Sequence, residues 1–264
     1  MKKIALTSLL AALVASGANA AAKNVLDGNP LYMPAKGHFV SETAVSSHSH
    51  NDHDWSLGEE FGWGVTDRLA LGLKTSVTER QFFENFAWNE IGVDAAWRII
   101  GDGAWKLDAV AGYEVTPMRA FHHSFADKDE TTYFWTLGVR GGYVAKDWTL
   151  AAHANFIYAN SRSFNWAYDD ELNQNHILNL GFNGHWQFSN VWSAGAGAEY
   201  YKVMDSYFAA GNSGEWELSA GLNFNIDTTK YVGAYITKEV AHVAAGAWEL
   251  QDGFGFGAKF GIDF

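Results

Sequence analysis

The stretch FGFGAKFGIDF (254–264) sets Phe254, Phe256, Ala258, Phe260, Ile262 and Phe264 on alternate positions, with Gly255, Gly257, Lys259, Gly261 and Asp263 between them. Successive side chains of a β-strand point to opposite faces. The stretch therefore reads as a strand with one large apolar face and one small or charged face. Such an apolar face covers the core of a soluble sandwich or meets lipid. The rest of the chain separates the two.

The same alternation recurs upstream. In AWNEIGVDAAWRI, Ile91, Val93, Ala95 and Trp97 oppose Glu90, Gly92, Asp94 and Arg98. In WKLDAVAGYEV, Trp105, Leu107, Ala109, Ala111 and Tyr113 oppose Lys106, Asp108 and Glu114. In HILNLGFNGHWQF, Leu178, Leu180, Phe182 and Trp186 oppose Asn179, Asn183 and His185. One such strand is a weak signal, but many with regular turns are a strong one. Short turn signals at VTDRLA, IGDGAW, AKDW, FSNVW and IDTTKY separate the strands at one end, and long polar stretches separate them at the other. That asymmetry is expected of a transmembrane β-barrel.

Aromatic residues make up 16% of the chain, with 12 Trp, 27 Gly and only 3 Pro. Trp63, Trp97, Trp105, Tyr143, Trp148, Trp186, Trp192 and Tyr231 lie near the short turns. Trp55, Trp88, Tyr113, Tyr133, Trp135, Tyr158, Tyr200 and Trp216 lie near the long loops. Two aromatic rings bounding an apolar band match the two membrane interfaces, and a soluble sandwich has no use for them. We therefore expect an all-β fold, a single antiparallel barrel of about 12 strands near 37–47, 55–66, 69–78, 87–100, 105–116, 131–144, 148–160, 176–188, 191–203, 215–227, 230–240 and 252–264. The first and eleventh alternate least clearly. In the second, Glu59 falls on the apolar face and is expected to mark the loop end.

Residues 1–20, MKKIALTSLLAALVASGANA, have a basic start, an apolar stretch and an A-x-A site, the pattern of a cleaved signal peptide. Residues 21–36 then form an extension on the periplasmic side or a short plug, and 37–264 the barrel. Lys2 and Lys3 are the leader's only charges, so the remainder carries 16 basic and 30 acidic side chains, a net charge of −14. That balance argues against nucleic-acid partners.

With its alternating final strand closing on Phe260, Ile262 and Phe264, the chain resembles the bacterial outer-membrane β-barrel proteins. The resemblance implies a porin-like class in the outer membrane, surrounded by lipid and lipopolysaccharide. It also implies that the terminal aromatic is read as an assembly signal by the barrel-assembly machinery, after passage through the secretion machinery. The class holds channels, enzymes and adhesins, so it does not name an activity.

Three constellations could carry chemistry. The inward face carries Glu60, Lys74, Glu90, Asp94, Arg98, Lys106, Asp108, Glu114, Arg140, His153, Glu199 and Glu217. Its acid excess suits cations, and a bore for acidic sugars would instead be basic. Inward glycines such as Gly72 and Gly138 leave a bore open or make room for charged side chains to cross it. The loop SHSHNDHD offers His48, His50, Asp52 and His53 as metal ligands, and His122 and His123 stand in another loop. Imidazole with carboxylate suits zinc or copper, but a solvated loop has no fixed geometry, and no metal or other cofactor is expected. A barrel hydrolase needs Ser, His and a carboxylate together. His153 and Asn155 share a face, but it is the inward one. The expected function is a narrow passive channel with mild cation preference, not an enzyme. The alternatives are a non-conducting barrel that presents its loops and, behind it, a hydrolase.

Deleting Phe264 or replacing it with Asp is expected to leave export intact while reducing folded, heat-modifiable barrel in the outer membrane. Unchanged yield of the folded form would remove the terminal strand as an assembly signal.

Overall fold

The computed structural model describes residues 29–48, 55–80, 85–119, 129–162, 172–204, 213–244, 247–249 and 254–264. The expected leader, the loop residues His50, Asp52 and His53, and His122 and His123 lie outside them. The strands are β1 (Phe39–His48), β2 (Trp55–Thr66), β3 (Leu69–Arg80), β4 (Asn85–Ile100), β5 (Trp105–Arg119), β6 (Asp129–Val144), β7 (Trp148–Arg162), β8 (Leu172–Gln187), β9 (Trp192–Val203), β10 (Ser213–Asn225), β11 (Lys230–Ala244), β12 (Ala247–Glu249) and β13 (Gly255–Asp263).

Each strand pairs antiparallel with its chain neighbours from β1 to β11, β11 pairs with β13, and β13 pairs back onto β1. Twelve strands thus close a barrel. The three-residue β12 pairs only with the loop end of β11, Val243 facing Trp248. Lipid offers no hydrogen-bond partner, so closure is what satisfies the edge strands. β4, β6 and β8 each run 16 residues, more than the roughly 9–11 that cross a bilayer. The surplus continues the ladders beyond the apolar band, which is why several strands outrun the bounds expected from alternation alone.

Polarity is inverted relative to a soluble protein. Leu137 is 65% exposed on the outer face, whereas Asp108 is fully buried inside. Outward rings meet across neighbouring strands at both ends. At the turn end Trp105 and Tyr143 have centroids 5.2 Å apart, and Trp192 and Phe224 5.0 Å. At the loop end Tyr113 and Trp135 lie 4.4 Å apart, and Tyr200 and Trp216 4.9 Å. Edge-to-face and tilted ring contacts of this kind add to area burial and fix ring orientation.

Side chains build the short turns. The Ser189 hydroxyl accepts from the Val191 and Trp192 amides, and the Thr66 hydroxyl from those of Arg68 and Leu69. In the β10–β11 turn the Thr229 amide and hydroxyl donate to Asp227 Oδ1 at 2.7 and 2.8 Å. Those bonds to the charged form hold the Asp227 carboxyl below its ordinary range.

Two positions differ from the sequence expectation. Tyr231 is not a girdle residue. It is 1% exposed, points inward and hydrogen-bonds to Glu42, with the Lys259 ammonium 5.2 Å from its ring centroid. Its parity with Gly233 and Tyr235 puts it on the inner face, and the weak alternation of β11 follows from these inward tyrosines. Glu59 does not mark the loop end. It stands four residues from Trp55 and four from Trp63, on the outer face at mid-height. Its two oxygens accept the Ser41 and Thr43 hydroxyls, each at 2.5 Å. The outward Ser41 and Thr43 that serve Glu59 are also what blurred the alternation of β1.

The face assignment has a direct test. Leu180→Arg and Leu222→Arg put a cation in the lipid and are expected to destabilise by about 2–4 kcal/mol each. Arginine replacing Asn179 or Asn223, one step away on the inner wall, is expected to cost less. Urea titration of the folded barrel in lipid vesicles compares the four variants, and equal costs would overturn the assignment.

Candidate functional site

The inner wall from β3 to β6 carries two ionic triads of opposite sign. Toward the loops, the Lys74 ammonium bridges Glu90 at 2.5 Å and Glu114 at 2.6 Å. Toward the turns, Asp108 takes the Arg98 Nε at 2.8 Å and Nη2 at 3.1 Å, and the Arg140 Nε at 2.8 Å. The first triad is net negative and the second net positive. Lys106 donates to the Gly101 carbonyl at the turn end. Lys74 lies forty residues from Glu114, and Arg140 thirty-two from Asp108.

Antiparallel pairing makes these contacts local. Lys74 faces Gly92 and Gly92 faces Glu114, so the lysine reaches across a strand that has no side chain in the way. Asp108 faces Arg98 on one side and Arg140 on the other. Charges removed from water need such partners, since a buried ion without one is strongly destabilising.

A strap of residues 29–35 crosses the turn-end mouth. The Asn29 amide donates to the Thr149 hydroxyl of β7 at 2.8 Å. The Leu31 carbonyl accepts from Arg98 at 2.6 Å, and the Tyr32 carbonyl from Arg140 at 3.0 Å. At β2 the strap lies so close that a Cβ on Gly64 would come within 2.0 Å of the Ala35 carbonyl oxygen. Only glycine fits there. The two arginines thus serve both Asp108 and the strap.

The wall from β7 to β10 is richer in amides. His153 Nε2 lies 3.0 Å from Asn179 Oδ1 and 2.9 Å from Glu199 Oε2. The Asn179 and Asn183 amides donate to Glu199 at 3.0 and 3.3 Å. Gly181 leaves room for this group, because a Cβ there would meet His153 at 2.1 Å. Between the two walls a cavity of about 240 Å³ is lined by Glu60, Lys74, Asp94, Arg140, His153 and Asn155 among others. Its volume is that of several water molecules.

The inner face holds residues that sequence reasoning did not single out. Glu42 pairs with Lys259 at 3.4 Å and takes the Tyr231 hydroxyl. Glu215 and Tyr201 are buried on β10 and β9. Glu215 shares the parity of Glu217, which would have found it. Glu42 sits on the strand whose alternation Ser41 and Thr43 obscure. Of the metal candidates, His48 ends β1, and the others lie outside the described residues. Among the described residues no three His, Asp or Glu side chains converge on a metal site.

No family model and no curated protein matches the sequence. Solved structures share its fold. A NanC porin superposes with a TM-score of 0.61 at 10% identity, covering 84% of this chain and 98% of the porin. The translocator domain of the autotransporter NalP from Neisseria meningitidis gives 0.60 at 11% identity, covering 98% and 97%. A KdgM porin, in complex with disordered oligogalacturonate, gives 0.50 at 12% identity, covering 85% and 99%. The architecture is that of the outer-membrane β-barrels. Porins and an autotransporter translocator share it, so it does not choose between them.

Lys74→Met strands two buried carboxylates and is expected to destabilise the barrel by about 3–5 kcal/mol. Lys230→Met loses an exposed ion pair to Asp227 in the β10–β11 turn and is expected to cost far less. Urea midpoints of the two variants in detergent micelles measure the difference, and similar midpoints would count against the Lys74 triad as a structural centre.

Proposed function

We propose that the protein is a narrow passive channel of the bacterial outer membrane for small solutes or ions, with a mild preference for cations. The supporting observation is the wall of the lumen cavity. Among the described residues Glu60 and Asp94 line it without an ion pair of their own to Lys or Arg, beside triads whose charges nearly cancel. A low-dielectric wall focuses the remaining negative field along the bore, and carboxylates at a constriction favour cations. The same charge argues against a polyanion such as the oligogalacturonate held by the KdgM porin. In this reading the short turns face the periplasm, the leader is removed on export, and lipopolysaccharide surrounds the outer leaflet.

A second reading is a non-conducting barrel that presents its loops. The strap across the turn-end mouth favours it. The hydrolase alternative gains no support from His153, whose partners are Asn179 and Glu199 rather than a serine.

Current through planar bilayers tests the proposal. Across a tenfold salt gradient the reversal potential is expected to have the cation sign, and to shrink as total salt rises, because screening shortens the reach of wall charges. Glu60→Gln with Asp94→Asn is expected to move it toward zero. Deleting residues 21–35 is expected to raise the conductance. Anion selectivity overturns the reading of the lumen, and silence of both the full chain and the deletion variant leaves the loop-presenting barrel.

A further inference from the structure

At mid-height on the lipid face, Thr43, Glu59 and Thr75 form one row across β1, β2 and β3, since Thr43 pairs with Glu59 and Glu59 with Thr75. Ser41 stands one step along, beside Phe61. The Ser41 and Thr43 hydroxyls each donate to one Glu59 oxygen at 2.5 Å. Those bonds let β2 carry the acid. They occupy one lone pair on each oxygen, and a carboxylate has about four acceptor positions. Glu59 is only partly buried, so the outer edge of its carboxyl faces lipid. The Thr75 hydroxyl beside it has no hydrogen-bond partner among the described residues. An ionisable side chain within a membrane span normally faces a protein interior or a water-filled cavity, and it marks a functional contact.

Nothing in the lipid completes this row. Acyl chains have no donors, and headgroups lie well away from mid-height. An occupant that does complete it must be another membrane-embedded wall. Ser41 and Thr43 are small and lie between Phe61 of β2 and Phe260 of β13, which are 45% and 39% exposed. The outer surface of β1 is therefore a shallow hollow. In lipid, apolar packing has little advantage over acyl chains, and small residues and polar side chains hold walls together. Among the described residues the other strands present apolar side chains at this height, such as Val93, Leu137, Leu180, Ala220 and Ile236. Lys238 also faces outward, but opposite Leu218 and nearer the loops. The matching row is the same face of a second copy.

We infer that the outer face of β1–β3 is a homodimer contact, with Glu59 at its centre and a second copy of this chain as the partner. Both copies insert in the same direction, so the two-fold axis runs along the membrane normal and keeps each residue at its own height. The contact is isologous, with the same patch on both sides. The two rows cross at the axis. A turn about χ1 to another staggered well brings the Thr75 hydroxyl of each copy toward the carboxyl edge presented by the other. Phe61 of each copy enters the hollow over the small residues of the other. The contact seals the carboxyl from lipid on both barrels at once and leaves each lumen untouched, so it is independent of whether the barrel conducts.

The chain has no cysteine, so a single introduced one is labelled before refolding into phosphatidylcholine vesicles. Nitroxides on Leu57→Cys, one step from Glu59 on the same face, are expected to show dipolar broadening that fades when unlabelled protein is mixed in before refolding. Leu180→Cys lies on β8, six strands from β2 on the opposite side of the cylinder, and is expected to show none. Sedimentation equilibrium in density-matched detergent micelles is expected to give a monomer–dimer equilibrium that Glu59→Leu weakens tenfold or more. Glu59→Leu is also expected to give the parental yield of heat-modifiable barrel, which separates loss of the contact from loss of fold. The Leu57→Cys label leaves Glu59 in place, so it reads the contact even where Glu59→Leu fails to fold. A monomer at every protein concentration, dimers that Glu59→Leu leaves intact, or broadening at Leu180→Cys equal to that at Leu57→Cys overturns the contact.

Discussion

The structure depends on one closure. Phe39 and Phe264 exchange backbone hydrogen bonds, each at 2.9 Å, and from there β1 and β13 run in register from Val40 against Asp263 to His48 against Gly255. An open edge in hydrocarbon leaves a row of amides and carbonyls without partners, at several kcal/mol for each group. Closing the cylinder removes that row. It also divides the chain's surface into an outside that must be apolar and an inside that must manage its own polarity, and every later feature answers to that division.

The inside manages its polarity by pairing charges across strands rather than by excluding them. Lys74 lies between two carboxylates, and Asp108 between two guanidiniums. Glycines such as Gly92 and Gly181 give these side chains their room. The arginines then have donors to spare for the carbonyls of Leu31 and Tyr32, so the segment ahead of the first strand is held by the lumen's own charges. Occupancy of the turn-end mouth and the electrostatics of the wall are therefore a single problem. A change at Asp108 would loosen the strap as surely as it would alter the field.

The barrel was legible in the sequence because a period of two is local: Leu178, Leu180 and Phe182 declare a face without any knowledge of their partners. The same rule placed Asp94, Glu114 and Glu199 on the inner wall. It could not choose their partners. Which of Lys74, Arg98 and Lys106 meets a given carboxylate depends on register between strands, and register is set by pairing and bulges that leave no mark on a single strand. Tyr231 shows the opposite failure. An aromatic beside a turn reads as an interface anchor, but its parity outweighs its position. Leu31 and Tyr32 had no periodicity to betray them, since they hold the strap through backbone carbonyls that any residue provides.

Glu59 sets a condition on the strands beside it. Its carboxyl sits at mid-height on the lipid face and has its hydroxyl donors on one neighbour only, β1. Without β1 beside it, β2 would carry an unsatisfied acid into hydrocarbon. The β1–β2 ladder thus does more than close a stretch of wall: it makes an acid compatible with hydrocarbon, and the two strands suit the bilayer only as a pair.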